Sequence, residues 1–147
     1  MIREESETNI DCPATAVFAY VEDFAHAPSW LESCVELATV AGGAVAEGTP
    51  LHYRYRQGGH VGEMDGVVTE YERDRRIELS FTDAKFGVVV TLACTPSAGG
   101  TRVAHAIAIT PKGAMAKLFS PLIRAGNRKQ VKNNVARLKQ HIEAAAK

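Results

Sequence analysis

The sequence predicts an α+β domain in which a curved, seven-stranded antiparallel sheet closes around a long C-terminal helix, with two short helices between the first two strands. Three observations carry this. From Cys34 onward, apolar residues recur at every second position through six consecutive segments. These segments are separated by short turn-like pieces with no helix between them, which describes an antiparallel meander rather than a parallel sheet. After Pro111 the spacing becomes helical and stays so to the end of the 147 residues.

The elements follow in order. Residues 2–10 alternate through Ile2, Glu4, Ser6, Thr8 and Ile10 without a strong apolar face, as an edge strand does. Cys12-Pro13-Ala14 opens a helix, since proline suits a first turn, and Val17, Phe18 and Val21 fall at helical spacing. A second short helix is expected over 26–32, with Pro28 near its start and Trp30 as its large apolar group. Strands are expected over 34–41, 49–57, 60–72, 75–82, 86–96 and 100–110. The turns are Gly42-Gly43, Gly48, Gly58-Gly59, Arg73-Asp74, Thr82-Asp83 and Ser97-Ala98-Gly99-Gly100. The tail from Pro111 to Lys147 reads as helix, with a weak piece over 113–119. Ser120 is the expected N-cap and Pro121 the first helical residue. Ile123, Asn127, Val131, Val135, Leu138 and Ile142 share one face, whereas Phe119 and Leu122 do not, so a break is expected near Ser120. One domain spans 1–147.

Composition bounds the function. Hydrophobic residues make up 46% of the chain, enough for a packed core and too many for a disordered one. No apolar run approaches the ~20 residues that span a bilayer. The N-terminus, Met1-Ile2-Arg3-Glu4-Glu5, lacks the apolar stretch of a signal peptide. Cys12, Cys34 and Cys94 are odd in number, widely spaced and without CxxC, which points to reduced thiols in a cytoplasmic protein. Net charge is zero but divided: residues 1–111 hold 8 Lys/Arg against 16 Asp/Glu, and residues 112–147 hold 9 against Glu143 alone. A solvated basic helix against an acidic sheet accounts for this. Peripheral contact with an anionic membrane, or with an acidic partner, is the alternative. Nucleic acid is not expected, because no aromatic or glycine pattern accompanies the basic residues. A monomer or weak homodimer is expected.

A twisted seven-stranded sheet curves strongly. One helix about 10–12 Å wide does not fill its concave face, so a cavity is expected, favoured by the small strand residues Gly62, Gly66, Gly87, Ala93, Ala104, Ala106 and Ala108. Alternation proposes the inward side chains: Leu51, Tyr53 and Tyr55; Met64 and Val68; Ile77, Leu79 and Phe81; Phe86, Val88, Val90, Leu92 and Cys94; Val103, His105, Ile107 and Ile109. A β-bulge would flip part of any such row. From the helix, Asn127, Val131 and Asn134 join them. Asn127, Gln130 and Asn134 form a polar stripe that is read either as a solvent-bounded edge or as a cavity flank. Trp30 is placed either in the core or over the cavity mouth. Because these residues are overwhelmingly apolar, the expected ligand is a hydrophobic small molecule.

The sequence also resembles a known family. Ile10-Asp11-Cys12-Pro13-Ala14, followed by Val17-Phe18-Ala19-Tyr20-Val21 and Asp23, is similar to the opening of the SRPBCC superfamily, which includes START-like and polyketide cyclase/dehydrase-like proteins. Trp30, Gly48-Thr49, Val68-Thr69-Glu70-Tyr71-Glu72, Arg75-Arg76-Ile77, Gly100-Thr101-Arg102-Val103 and Leu138-Lys139-Gln140-His141-Ile142-Glu143 continue the match over nearly the whole chain. The resemblance implies the helix-grip fold and a hydrophobic pocket; it implies no single reaction, since one fold hosts unrelated functions.

Signatures of familiar active sites are missing: there is no GxSxG, HExxH, GxGxxG or Walker loop. The five histidines show no metal-ligand spacing, so neither a metal nor a cofactor is expected. Binding or transport of a lipid, isoprenoid or polyketide-like compound is the leading expectation. A cyclase/dehydrase-type enzyme is the alternative, with Tyr53, Tyr55 or His105 as proton donor. A docking protein that acts through the basic helix is the third.

Overall fold

The computed structural model describes residues 1–146, and the side chains of all of these except Met115 and Ala116; Lys147, the last residue of the expected tail helix, lies outside the described residues. The strands are β1 (Ile2–Ile10), β2 (Cys34–Thr39), β3 (Pro50–Gln57), β4 (His60–Glu72), β5 (Arg76–Thr82), β6 (Phe86–Ser97) and β7 (Gly100–Pro111). The helices are α1 (Ala14–Glu22), α2 (Ala27–Trp30), α3 (Ala114–Leu118) and α4 (Ser120–Ala145), with a 3₁₀ turn over Phe24–His26. The sheet is antiparallel throughout, in the order β1-β7-β6-β5-β4-β3-β2. The meander predicted from the period of two is therefore present, and β1 returns to pair with the last strand. No helix among the described residues is long and apolar enough to cross a membrane.

Two register shifts bend the sheet, one between Cys34 and Glu36 on β2 and one between Val68 and Glu70 on β4. The second moves Tyr71 onto the buried face opposite Ile77. There its ring meets Phe18 edge-on at 5.6 Å, and its hydroxyl donates to the Glu22 carboxylate on α1 at 3.2 Å. Simple alternation places Tyr71 outside, and the bulge is what reverses it.

The helix α4 lies across β1 and β7 and against α2. Its buried row is Asn127, Val131, Asn134, Val135, Leu138 and Ile142. Ser120 does not cap it. Phe119 holds the N-cap position and the Ser120 hydroxyl donates back to the Lys117 carbonyl at 2.7 Å, while Pro121 occupies the first turn as expected. The break between α3 and α4 leaves Leu118 and Leu122 in solvent, at 72% and 70% exposure.

Of the seven small strand residues, only Gly62 and Gly66 face the concave side. Gly87, Ala93, Ala104, Ala106 and Ala108 alternate with the inward residues of β6 and β7 and so face the convex side. The two inward glycines make room for rings. A Cβ on Gly62 would stand 2.5 Å from the Tyr55 ring, and one on Gly66 would stand 2.3 Å from the Phe81 ring, both closer than real Cβ contacts. Tyr55 and Phe81 thus lie flat across β4, which keeps the concave face open.

Candidate functional site

Between the strands β3–β7 and the N-terminal half of α4 lies a cavity of about 90 Å³. Its wall consists of Leu31, Ser33, Tyr53, Tyr55, Gln57, Met64, Phe81, Phe86, Val88, Val90, Ile107, Ile109, Ile123 and Gln130. Leu31, Met64, Phe81 and Ile107 are buried and form the floor. Gln57 is exposed and Phe86, Ile109 and Ile123 are half-buried, so the cavity opens between these strand ends and the start of α4. A second, wholly apolar void of about 10 Å³ adjoins it, sharing Leu31 and Val90 and lined further by Trp30, Leu37, Leu79 and Leu92. This void is at the lower limit for one water molecule.

The sequence-predicted site residues divide accordingly. The main cavity brings together Tyr53, Tyr55, Met64, Phe81, Val88, Val90 and Ile107. Trp30, Leu79 and Leu92 line the small void instead. Trp30 is 3% exposed and packs edge-on to the His105 ring at 5.3 Å, so it belongs to the core and not to the mouth. Leu51, Val68, Val103, His105, Asn127, Val131 and Asn134 are buried and line neither space. Periodicity also accounts for Phe86, Ile109, Ile123 and Gln130. Gln57 is in phase with Tyr53 and Tyr55 but polar, and Leu31 and Ser33 carry no such signal, since loop residues have no period to read.

The polar stripe on α4 is not a solvent edge. Asn127 Nδ2 donates to the Ile107 carbonyl at 2.8 Å. Asn134 accepts from the Glu32 N–H at 2.9 Å through Oδ1, and its Nδ2 lies 3.1 Å from His105 Nε2. His105 Nδ1 lies 3.0 Å from the Thr91 carbonyl. A carbonyl only accepts, so the proton sits on Nδ1 and Nε2 accepts from Asn134. Both ring nitrogens are thereby used, and His105 has none left for a ligand. Gln130 Nε2 donates to Ser33 Oγ at 2.9 Å on the cavity wall. Among the described residues, the acceptor Asn127 Oδ1 and the donor Trp30 Nε1 are buried without a hydrogen-bond partner.

Electrostatics follow burial. Desolvation pushes the His105 pKa down to about 4, against a smaller upward pull from the Thr91 carbonyl. Desolvation pushes Cys34 up to about 12, with the Glu36 charge adding to it, and Cys94 up to about 11. It also raises Tyr53, with Cys34 and Tyr55 contributing, and it raises Tyr55, with Asp83 contributing by charge and as acceptor of the Tyr55 hydroxyl at 3.3 Å. Tyr53 and Tyr55 are the titratable groups on the cavity wall, and both are neutral O–H donors at ordinary pH. Among the described residues, no group of three or more His, Cys, Asp or Glu is placed to hold a metal ion.

Because the folded His105 pKa lies below the ordinary 6.5, the unfolded chain binds the extra proton between about pH 6.5 and 4. Stability contributed by neutral His105 is therefore complete above pH 6.5 and falls as pH drops through that window, by about 3 kcal/mol in all. Urea midpoints at pH 7 and pH 4.5 should differ more for the native chain than for His105→Gln; equal differences would mean that His105 does not carry the slope.

Comparison with known proteins agrees with this architecture. The family described as "Polyketide cyclase / dehydrase and lipid transport" matches residues 1–143. Solved structures with the same fold include a protein from Thermus thermophilus, at 18% identity and a TM-score of 0.81, with 99% of each chain covered. A START superfamily protein from Mycobacterium smegmatis is 12% identical, with a TM-score of 0.77 over 97% of this chain and 98% of that one. The di-domain ARO/CYC StfQ of the steffimycin biosynthetic pathway is 13% identical, with a TM-score of 0.71; 99% of this chain covers 51% of that one. No curated protein matches the chain. With the helix-grip architecture in place and the family pattern running through all but its last few residues, the chain belongs to the polyketide cyclase/dehydrase and lipid transport family.

Proposed function

We propose that the protein binds a hydrophobic small molecule in the main cavity and holds it by one hydrogen bond from Tyr53. The observation that carries this is the free Tyr53 hydroxyl. It stands among Leu31, Met64, Phe81, Val88, Val90 and Ile107 and makes no hydrogen bond among the described residues, whereas on the same wall Tyr55 is bonded to Asp83 and Gln130 to Ser33. An apolar wall with one or a few oriented polar groups is the usual composition of a small-molecule site. Size constrains the guest. Apolar cavities of about 150 Å³ admit a benzene-sized molecule, so 90 Å³ encloses only a short branched segment or part of a ring, with the rest of a larger guest leaving through the mouth beside Phe86 and Ile123.

The family description spans transport and catalysis. Binding without proton transfer is favoured here because both wall phenols are pushed upward and the neutral His105 is consumed by Thr91 and Asn134. The cyclase/dehydrase reading keeps one specific support: Tyr53 is a neutral donor that faces the guest and could protonate a carbonyl oxygen without competing protein partners.

A solvatochromic apolar dye is expected to bind one site with micromolar affinity, and Val90→Trp should abolish that binding while the urea midpoint stays close to native. Val90 lines both cavities, so an indole there fills the space directly. Val103→Trp is unsuitable as a blocker, because Val103 is fully buried and away from the cavity. Dye binding that survives Val90→Trp would place the guest elsewhere. Tyr53→Phe separates the two readings: a binding protein loses affinity for an oxygenated guest over its hydrocarbon analogue and shows no turnover in either form.

A further inference from the structure

From the corner between α3 and α4 we infer a docking surface for an anionic lipid bilayer. Among the described residues, six large apolar side chains are exposed, and three of them, Leu118, Phe119 and Leu122, fall within five residues at this corner, at 72%, 48% and 70% exposure. The next residue, Ile123, lines the cavity mouth. The corner is also cationic. Lys117 and Arg124 flank the three apolar groups and take part in none of the ion pairs among the described residues. Lys112 and Lys85 meet beside it, where the Lys112 N–H donates to the Lys85 carbonyl at 2.8 Å. The Lys112 ammonium is held there by Thr82 Oγ1 and the Asp83 carbonyl, while the Asp83 carboxylate accepts from the Lys85 and Phe86 N–H groups and the Tyr55 hydroxyl. No acid occurs between residues 112 and 142.

This combination selects one occupant. Apolar side chains that enter the headgroup boundary, ringed by Lys and Arg, suit an anionic membrane surface. Three apolar side chains fall well short of the roughly 800 Å² per partner of a stable protein interface, and the shared positive charge repels a second copy of the chain. Further along α4, Arg128 is tied to Glu4 and Lys139 to Glu143, and although Lys129, Lys132 and Arg137 make no ion pair among the described residues, no large apolar side chain is exposed beside them. The protein therefore meets the membrane by the corner at the cavity mouth and not along the length of the helix.

Vesicle co-sedimentation of the full chain, without added ligand, tests this independently of whether the cavity binds anything. Phosphatidylserine–phosphatidylcholine vesicles should retain the protein roughly tenfold or more better than phosphatidylcholine alone at low salt, and the difference should vanish near molar salt. Phe119→Glu/Leu122→Glu and, separately, Lys117→Glu/Arg124→Glu should each remove binding with an unchanged urea midpoint. No binding by the native chain, or binding retained by the apolar variant, overturns the inference. Loss confined to the apolar variant overturns the anionic preference. Concentration-dependent self-association, abolished by the apolar variant and without vesicle binding, replaces the membrane with a second copy.

Discussion

Asn134→Ala is expected to destabilise the protein by about 3–4 kcal/mol, because it strands two partners at once. Asn134 is fully buried and joins three elements: its Oδ1 takes the Glu32 N–H from the segment between α2 and β2, and its Nδ2 meets His105 Nε2 on β7, all from a position on α4. A buried acceptor or donor left without its partner costs about 1–3 kcal/mol each. Asn133→Ala is the matched control. Its Nδ2 reaches only the exposed Glu32 carboxylate, so its loss should cost under about 0.5 kcal/mol. Urea denaturation of the two variants checks this; equal effects would mean that the buried network contributes nothing beyond a surface hydrogen bond. The Glu32 N–H lies next to Leu31 and Ser33 of the cavity wall, so Asn134→Ala should also loosen ligand binding.

Leu138→Ala should cost about 2–5 kcal/mol, the range for truncating a fully buried leucine. Leu138 has no exposure and belongs to the same core cluster as Val17, Phe18, Val103 and Ile142, where α4 meets the sheet. Lys139, the next residue, is not a neutral control, since its ammonium bonds the Asn9 carbonyl and the Glu143 carboxylate and so holds the end of β1. Lys132, exposed and outside every ion pair among the described residues, serves instead and should change stability by less than about 0.5 kcal/mol. A Leu138→Ala effect no larger than that of Lys132→Ala would mean that α4 is rotated on the sheet.

The period of two is enough to place nearly every concave-face side chain of β3 to β7, because burial of one sheet face forces alternation and a one-residue slip would expose it all. It fails at Tyr71, where an extra residue after Val68 reverses the parity, and nothing in the local composition marks that bulge. On α4 the helical period identifies the buried face but does not say why asparagines occupy it. Asn127 and Asn134 look like a wet edge until β7 supplies the Ile107 carbonyl and the His105 ring, and those partners lie 20 and 29 residues away in the chain. His105 illustrates the same limit: its inward direction is readable, but whether it serves a ligand or the core depends on two partners from other strands and helices. Ser120-Pro121 reads as a cap because the local pattern suits one, yet α3 runs so close that Phe119 occupies the cap position.

The pairing of β1 with β7 bears on how the chain is made. Ile2 to Ile10 find their partners between Ile109 and Thr101, so the strand synthesised before the other six is paired by the last of them. During synthesis those six can assemble by neighbouring hairpins, whereas β1 must wait with its backbone groups open. Closing that pair spans most of the chain and costs more loop entropy than any of the neighbouring hairpins. An unpaired strand is also a template for wrong partners, and charge along it is a standard defence. Arg3, Glu4, Glu5 and Glu7, which make the segment a poor strand by composition, keep the nascent edge soluble until residues 101–109 arrive to cover it.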